Sequence, residues 1–217
     1  MSSSQTISRS AGRVPLSRER ILDAALQLAL AEGLDRVTMR RLARELDVVP
    51  MALYTHVRDK QDLQEGMVDT AFGRMDVDPG AGAWDYRMRT LAHALRDVLL
   101  VHAAVVDLFF LCSRPGPNAL RAIEAAHGVM RGAGFGDAVV AAACRSLYAY
   151  TLGSVTLEIN RSGEAKHPVL LSLPAEQYPN TVALTAYLAT CLPDEQFDSG
   201  LELMLAGLAG STPSAGR

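Results

Sequence analysis

Between Thr38 and Lys60 the chain reads TMRRLARELDVVPMALYTHVRDK, and the side chains there that could do chemistry are suited to one task. Arg40 carries a guanidinium fork able to take guanine O6 and N7 together. Pro50, Met51, Ala52, Tyr54 and His56 are candidates to face outward from a short helix, where apolar groups are out of place unless they meet thymine methyls and phosphates. Arg58 and Lys60 stand just before a further helix, whose first backbone N–H groups would help hold a flanking phosphate. An ordinary helical hairpin with surface arginines has the same periodicity, and a single lysine is by default a solvated charge. Covalent chemistry has no comparable set. No Ser or Cys sits in a nucleophile-elbow context, no HExxH occurs and no paired carboxylates stand out, so no catalytic residue is expected. Gly132-Ala133-Gly134-Phe135-Gly136 matches a glycine-rich nucleotide loop only superficially, because it follows a helix and not a strand.

The elements that must hold these residues are helical. Ser17 offers an N-cap, Ile21, Leu22, Ala25, Leu28 and Ala29 recur at helical spacing, and Gly33 supplies a stop. Thr38 opens a second helix with Met39, Leu42, Ala43 and Leu46 on one face. Asp47 and Val48 make the turn, Pro50 suits a first helical position, and the next helix is expected to run to about His56. Leu42, Leu46, Val48 and Leu53 would clamp the pair, the arrangement in which a helix-turn-helix presents its second helix to the major groove. Asp59, with Asp62 three residues on, approximates a capping box for a helix carrying Leu63, Met67 and Phe72, which links head to body.

We therefore expect a flexible arm over 1–15, rich in Ser, Gly and Arg, a helix-turn-helix domain over 16–62 and a helical body over 63–212. Arg9 and Arg13 on the arm could reach DNA. Asp76, Asp78, Pro79, Gly80 and Gly82 make Met75 to Ala83 a breaker segment and a candidate domain boundary. Beyond it, helices are expected at about Trp84–Val101, Val105–Cys112, Asn118–Arg131, Asp137–Arg161, Thr181–Thr190 and Asp194–Leu208. Ser162 to Asn180, with three prolines, should be a long loop. The fold class is all-α.

Net charge is −3 over 217 residues, but it is unevenly spread. Residues 1–60 hold ten Lys and Arg against seven Asp and Glu, whereas 61–217 hold eleven against seventeen. A basic head on an acidic body suits a module that meets phosphates joined to one that stays off them. Cys112, Cys144 and Cys191 are widely spaced in apolar surroundings and read as buried free thiols of a reducing compartment. The polar start lacks a secretory core, and Asp97, His102 and Asp107 interrupt the most hydrophobic region. A soluble, cytoplasmic, nucleoid-associated protein with no membrane partner is expected. In the body, Leu91, Leu95, Leu99, Phe109, Phe110, Met130, Tyr148 and Leu152 could line a cavity between helices, although any bundle needs such residues as plain core. His93 and His102 lie on different faces and read as partners for buried polar groups, so no metal site and no cofactor are expected.

SRERILDAALQLALAEGLDRVTMRRLARELDVVPMALYTHVRDKQDL resembles the head of the tetracycline-repressor (TetR) family: helix, glycine, a threonine-opened helix, then a recognition helix ending Leu-Tyr-x-His. The resemblance implies that Thr38, Ala52, Tyr54 and Lys60 contact phosphates or bases, and that Arg40, Pro50 and Met51 read base edges. Asp47 stands where the family usually has glycine, and Asp tolerates left-handed geometry better than most residues. Trp84, Ser113-Arg114-Pro115, YAYTLGSVTLEINR and FDSGLELMLAGL resemble the tetracycline-repressor type of C-terminal domain. That similarity implies a homodimer joined through the Asp137–Arg161 helix and the last helix, with an effector pocket in each subunit. Where tetracycline repressors hold the drug's magnesium with a histidine, this chain has Phe109, Phe110 and Leu111, which points to a hydrophobic or aromatic effector held without metal. The expectation is a ligand-responsive repressor that binds a palindromic operator in double-stranded DNA as a homodimer. The rival is an all-helical ligand-binding or protein-interaction module that does not bind DNA.

Overall fold

The computed structural model describes residues 15–112, 114–161 and 172–210, and every regular element among them is a helix. Arg9 and Arg13 of the arm, Ser113, and residues 162–171 of the expected loop lie outside the described residues. Helix α1 (Arg18–Glu32) begins where the Ser17 hydroxyl accepts the Arg20 N–H at 3.2 Å and ends at Gly33, whose φ of 88° releases the chain. After a turn of 3-10 helix at Leu34–Arg36 comes α2 (Met39–Glu45), opened by Thr38, whose hydroxyl accepts the Arg41 N–H. Asp47 has a φ of 53°, the left-handed turn that its residue type tolerates.

Helix α3 (Pro50–Leu53) is shorter than the periodicity predicts. The amides of His56 and Val57 both turn to the Leu53 carbonyl, and this tightened turn ends the helix before His56. Helices α4 (Lys60–Phe72), α5 (Trp84–Val101), α6 (Val106–Leu111), α7 (Pro117–Gly132), α8 (Asp137–Arg161), α9 (Pro179–Thr190) and α10 (Pro193–Ala209) follow. The predicted breaker segment carries no helix, and within it the Asp76 and Asp78 carboxylates accept the N–H groups of Asp78 and Gly80. Between α7 and α8 the glycine run is a connection, with Gly134 at a φ of 88°.

One apolar core runs from Ile21 in the head to Leu205 in α10. Ile21, Leu26, Leu42, Leu53, Leu63 and Met67 are fully buried, each contributing about 1.5–3 kcal/mol on transfer from water. The expected boundary at 62/63 falls inside α4, which packs on α1 at one end and on α7 at the other. Head and body therefore share an element instead of meeting at a linker.

Two expectations need correction. The cysteines are unpaired, as predicted, but all three are half-buried. The longest apolar stretch is also not the 97–107 region: α8 from Asp137 to Asn160 is long and apolar enough to cross a membrane, and a third of its most apolar part is buried inside the chain. The sequence reading missed it because Ala, Ser and Thr dilute the Leu and Val there, so no run of large side chains stands out. With Leu157 exposed further along the helix, Ala138, Ala142 and Ser146 leave a small-residue face of α8 uncovered. It continues into a groove with Met204, Gly207 and Leu208 of α10.

Candidate DNA-binding face and effector cavity

The head buries Leu42, Ala43, Leu46, Leu53 and Val57, packs Met39 partly against them, and leaves Arg40, Arg44 and Glu45 of α2 and Pro50 and Met51 of α3 exposed. Met51 is 73% exposed and Tyr54 46%, large side chains left bare at a helix of only one turn. Thr38, Arg40, Pro50 and Lys60 are exposed beside them, and Ala52 and His56 are half-buried. Val49 is as bare as Met51, at 68%, and was not singled out from the sequence. Its extended backbone before Pro50 swings it away from the clamp, a signal present in the Val-Pro pair. Of the eight predicted head residues, six are thus exposed and two half-buried.

Neighbouring charges are sorted by their partners. The Arg41 guanidinium is engaged by Glu32 of α1 and by Glu45 at 2.8 Å, and these carboxylates, Glu32 first, raise its already high pKa. Arg40 makes no such bond among the described residues. Asp62 does not complete the predicted capping box. Asp59 accepts the Asp62 N–H at 2.8 Å, but the Asp62 carboxylate instead takes Arg18 at 2.8 Å and the Arg58 N–H at 2.8 Å. The Arg18 guanidinium, which also donates to the His56 carbonyl at 2.8 Å, holds that carboxyl well below the usual carboxylate range. Arg18 therefore pins the turn after α3 to both α1 and α4. Arg58 leans on Asp62 at 3.4 Å, with its side chain 78% exposed.

The body contains a cavity of about 580 Å³ walled by α4, α5, α6, α7 and α8. Leu91, Leu95, Phe109 and Tyr148 of the predicted set line it. The other four do not. Leu99, Met130 and Leu152 are sealed in the surrounding core, and Phe110 is 56% exposed. Along α6, Phe109 points inward and the next residue, about 100° further round the helix, turns away. Residues missed from the sequence include Val68, Asp69 and Phe72 of α4, Arg114, Ala122 and Ile123 of the α7 region, and Arg145. The Tyr148 hydroxyl donates to the Phe109 carbonyl at 3.3 Å and Thr151 to the Leu147 carbonyl at 2.9 Å, while burial pushes the Cys144 thiol up to about 11. No group of three His, Cys, Asp or Glu side chains able to hold a metal ion occurs among the described residues. His102, predicted to partner a buried polar group, is 1% exposed and meets Arg74 at 3.2 Å.

Known proteins match both halves of this architecture. Residues 21–67 match the family model of bacterial regulatory proteins, tetR family, and residues 77–211 that of the tetracyclin repressor-like C-terminal domain. An HTH-type transcriptional regulator of Saccharopolyspora erythraea is 32% identical over 209 residues, spanning 90% of this chain and 86% of its own. The crystal structure of Streptomyces coelicolor ActR in complex with actinorhodin superposes with a TM-score of 0.85 at 29% identity, covering 94% of this chain and 100% of that one. BioQ with its natural double-stranded DNA operator gives 0.68 at 30% identity, covering 90% and 99%. The exposed recognition surface, the cavity behind it and matches to both family domains lead to one conclusion: the chain belongs to the TetR family, and it is a helix-turn-helix transcriptional regulator.

Proposed function

We propose that the protein is a repressor that binds a palindromic operator as a homodimer and releases it when an apolar or aromatic molecule fills the cavity. The observation that carries this reading is that α4 serves both sites. Its first turn is held through Asp62 and Arg18 to the turn that follows the recognition helix, and its last turns supply Val68, Asp69 and Phe72 to the cavity wall. An effector that favours a displaced α4 shifts the population away from the DNA-competent state, by as much as its affinity differs between the two.

Thr38, Arg40, Val49, Pro50, Met51, Ala52, Tyr54, His56 and Lys60 are the proposed DNA contacts. Leu91, Leu95, Phe109 and Tyr148 are the proposed apolar effector contacts, with no metal required. The uncovered face of α8 and α10 is the proposed dimer seam, since one recognition helix reads too few base pairs and two held about a DNA turn apart read a palindrome. The regulator would act in the cytoplasm, at the nucleoid.

Selection of bound fragments from random duplexes with the purified protein is the test, with the mass of the complex measured by light scattering. A two-fold symmetric consensus bound by two chains, with affinity falling steeply as salt rises, is the expected outcome. Asymmetric sites bound by single chains would remove the dimer, and no enrichment at low salt would remove the operator.

A further inference from the structure

We infer that the effector is an organic anion: a ring-sized apolar body bearing a carboxylate or equivalent acidic group, with its charge read by Arg114 and Arg145 at the rim of the cavity. The inference rests on the cavity being the effector site and adds the charge of its occupant. Five lining residues carry groups that can bear charge: Glu65, Asp69, Arg114, His127 and Arg145. Their partners differ sharply. Asp69 is occupied, one oxygen accepting the N–H groups of Asn118 at 2.9 Å and Ala119 at 3.0 Å and the other the Asn118 amide at 3.2 Å. Glu65 accepts from the Gln61 amide at 2.9 Å. The neutral polar groups are also committed, Tyr148 to the Phe109 carbonyl and Thr151 to that of Leu147.

Arg114, Arg145 and His127 instead have no hydrogen bond or ion pair among the described residues. They come from three places, the connection before α7, α8 and α7 itself, and border one apolar space. Arg114 and Arg145 are solvent-exposed while lining it, which puts them at its rim.

A charged ligand end buried against Leu91, Leu95 and Phe109 would lose its hydration without return. At the rim it keeps water on one side and gains guanidinium forks on the other, the charge-assisted pairing that arginine makes with carboxylates. Glu65 and Asp69 keep their negative charges, since neutral donors hold them, but their oxygens already have hydrogen-bond partners. The groups with unfilled donors are the two arginines, which an anionic end would satisfy and a cationic or neutral end would leave as they are. The wall therefore selects an apolar body, and the unfilled donors of Arg114 and Arg145 select an acceptor-only, anionic head.

The test is calorimetric titration of the full chain with 2-naphthoate and with 2-naphthamide, which share a ring system and differ in charge. Naphthoate is expected to bind at least about tenfold more tightly, and in the Arg114→Gln/Arg145→Gln double variant the gap should close to within about threefold with naphthamide affinity unchanged. Equal affinities in the unaltered protein, or a gap that survives the double variant, overturn the inference. Failure of naphthoate to bind overturns it too, since the cavity would then refuse the class assigned to it. Operator affinity of the same preparations is read in parallel and reports that the variants are folded. Operator release by neutral aromatics alone would leave the effector site standing while sinking the anion; operator binding unaffected by any apolar probe would sink both.

Discussion

Arg40 and Arg41 are adjacent in sequence and opposite in circumstance. Arg41 is tied between Glu32 and Glu45, so its fork braces α2 against α1. Arg40 projects from the same helix into solvent, and Met51 and Tyr54 of the following segment are exposed as well. The Glu45 pairing was legible as an i,i+4 contact, whereas Glu32 lies nine residues back across a turn, at no helical spacing. If Arg40 reads a base edge, Arg40→Ala should weaken operator binding by about 1–3 kcal/mol and relax preference at one base pair of each half-site. Tyr54→Ala should act in the same direction. Arg41→Ala should change affinity by less than about threefold, because its charge is already neutralised by carboxylates. Fluorescence anisotropy with labelled operator, repeated across salt concentrations, separates them. Equal losses at Arg40 and Arg41 would mean that α2 acts only as a support and that Arg40 makes no contact of its own.

At the scale of elements, the tie between α4 and α7 is the link that the sequence did not show. Asp69 sits in α4 and caps α7 from outside, accepting the N–H groups of Asn118 and Ala119 that no residue of α7 could satisfy. Gly116 makes this possible, since a Cβ at that position would collide with the Asp69 carboxyl group. Helix existence and order were readable from apolar spacing, caps and breakers, and the helix-turn-helix from its clamp residues and Pro50. Contacts between residues some fifty positions apart leave no local pattern. Neither does the difference between cavity wall and core, so Leu95 and Leu99 look alike in the sequence although only Leu95 lines the cavity. Asp69→Ala is expected to lower unfolding free energy by about 1–2 kcal/mol, the usual loss for a helix cap. Gly116→Ala should lower it at least as much. Both act through one contact, so chemical denaturation of the double variant should show less than the sum of the two losses. Additive losses would mean that Asp69 and Gly116 act independently and that the cap is not what binds α4 to α7.

Across the whole molecule, head and body are also joined through a buried histidine whose protonation the fold opposes. Arg74, just beyond α4, donates to Asp23 of α1 at 2.9 Å and approaches Nε2 of His102, beyond the end of α5, at 3.2 Å. Arginine can only donate, so Nε2 must accept, the ring is neutral, and the proton resides on Nδ1, a buried atom without a partner among the described residues. Burial, and then the Arg74 charge, lower the His102 pKa below its ordinary 6.5. Because the folded value is the lower one, the unfolded chain takes up the proton first, and stability present above about pH 6.5 is lost as pH falls through that value towards the folded pKa. Asp62, whose carboxyl is also held low, contributes in a separate window that opens only below its ordinary 3.8. Unfolding free energy should therefore decline between pH 7 and 5, and His102→Gln, whose amide oxygen can accept from Arg74 without titrating, should flatten that decline. Urea titrations at half-unit pH steps would show it. Protonation at this point also sets a positive charge against Arg74 and weakens its hold on Asp23, so operator affinity should fall over the same interval in the unaltered protein and less in the variant. A stability curve that is flat from pH 7 to 5, or a slope that persists in His102→Gln, would exclude His102 as the titrating joint between head and body.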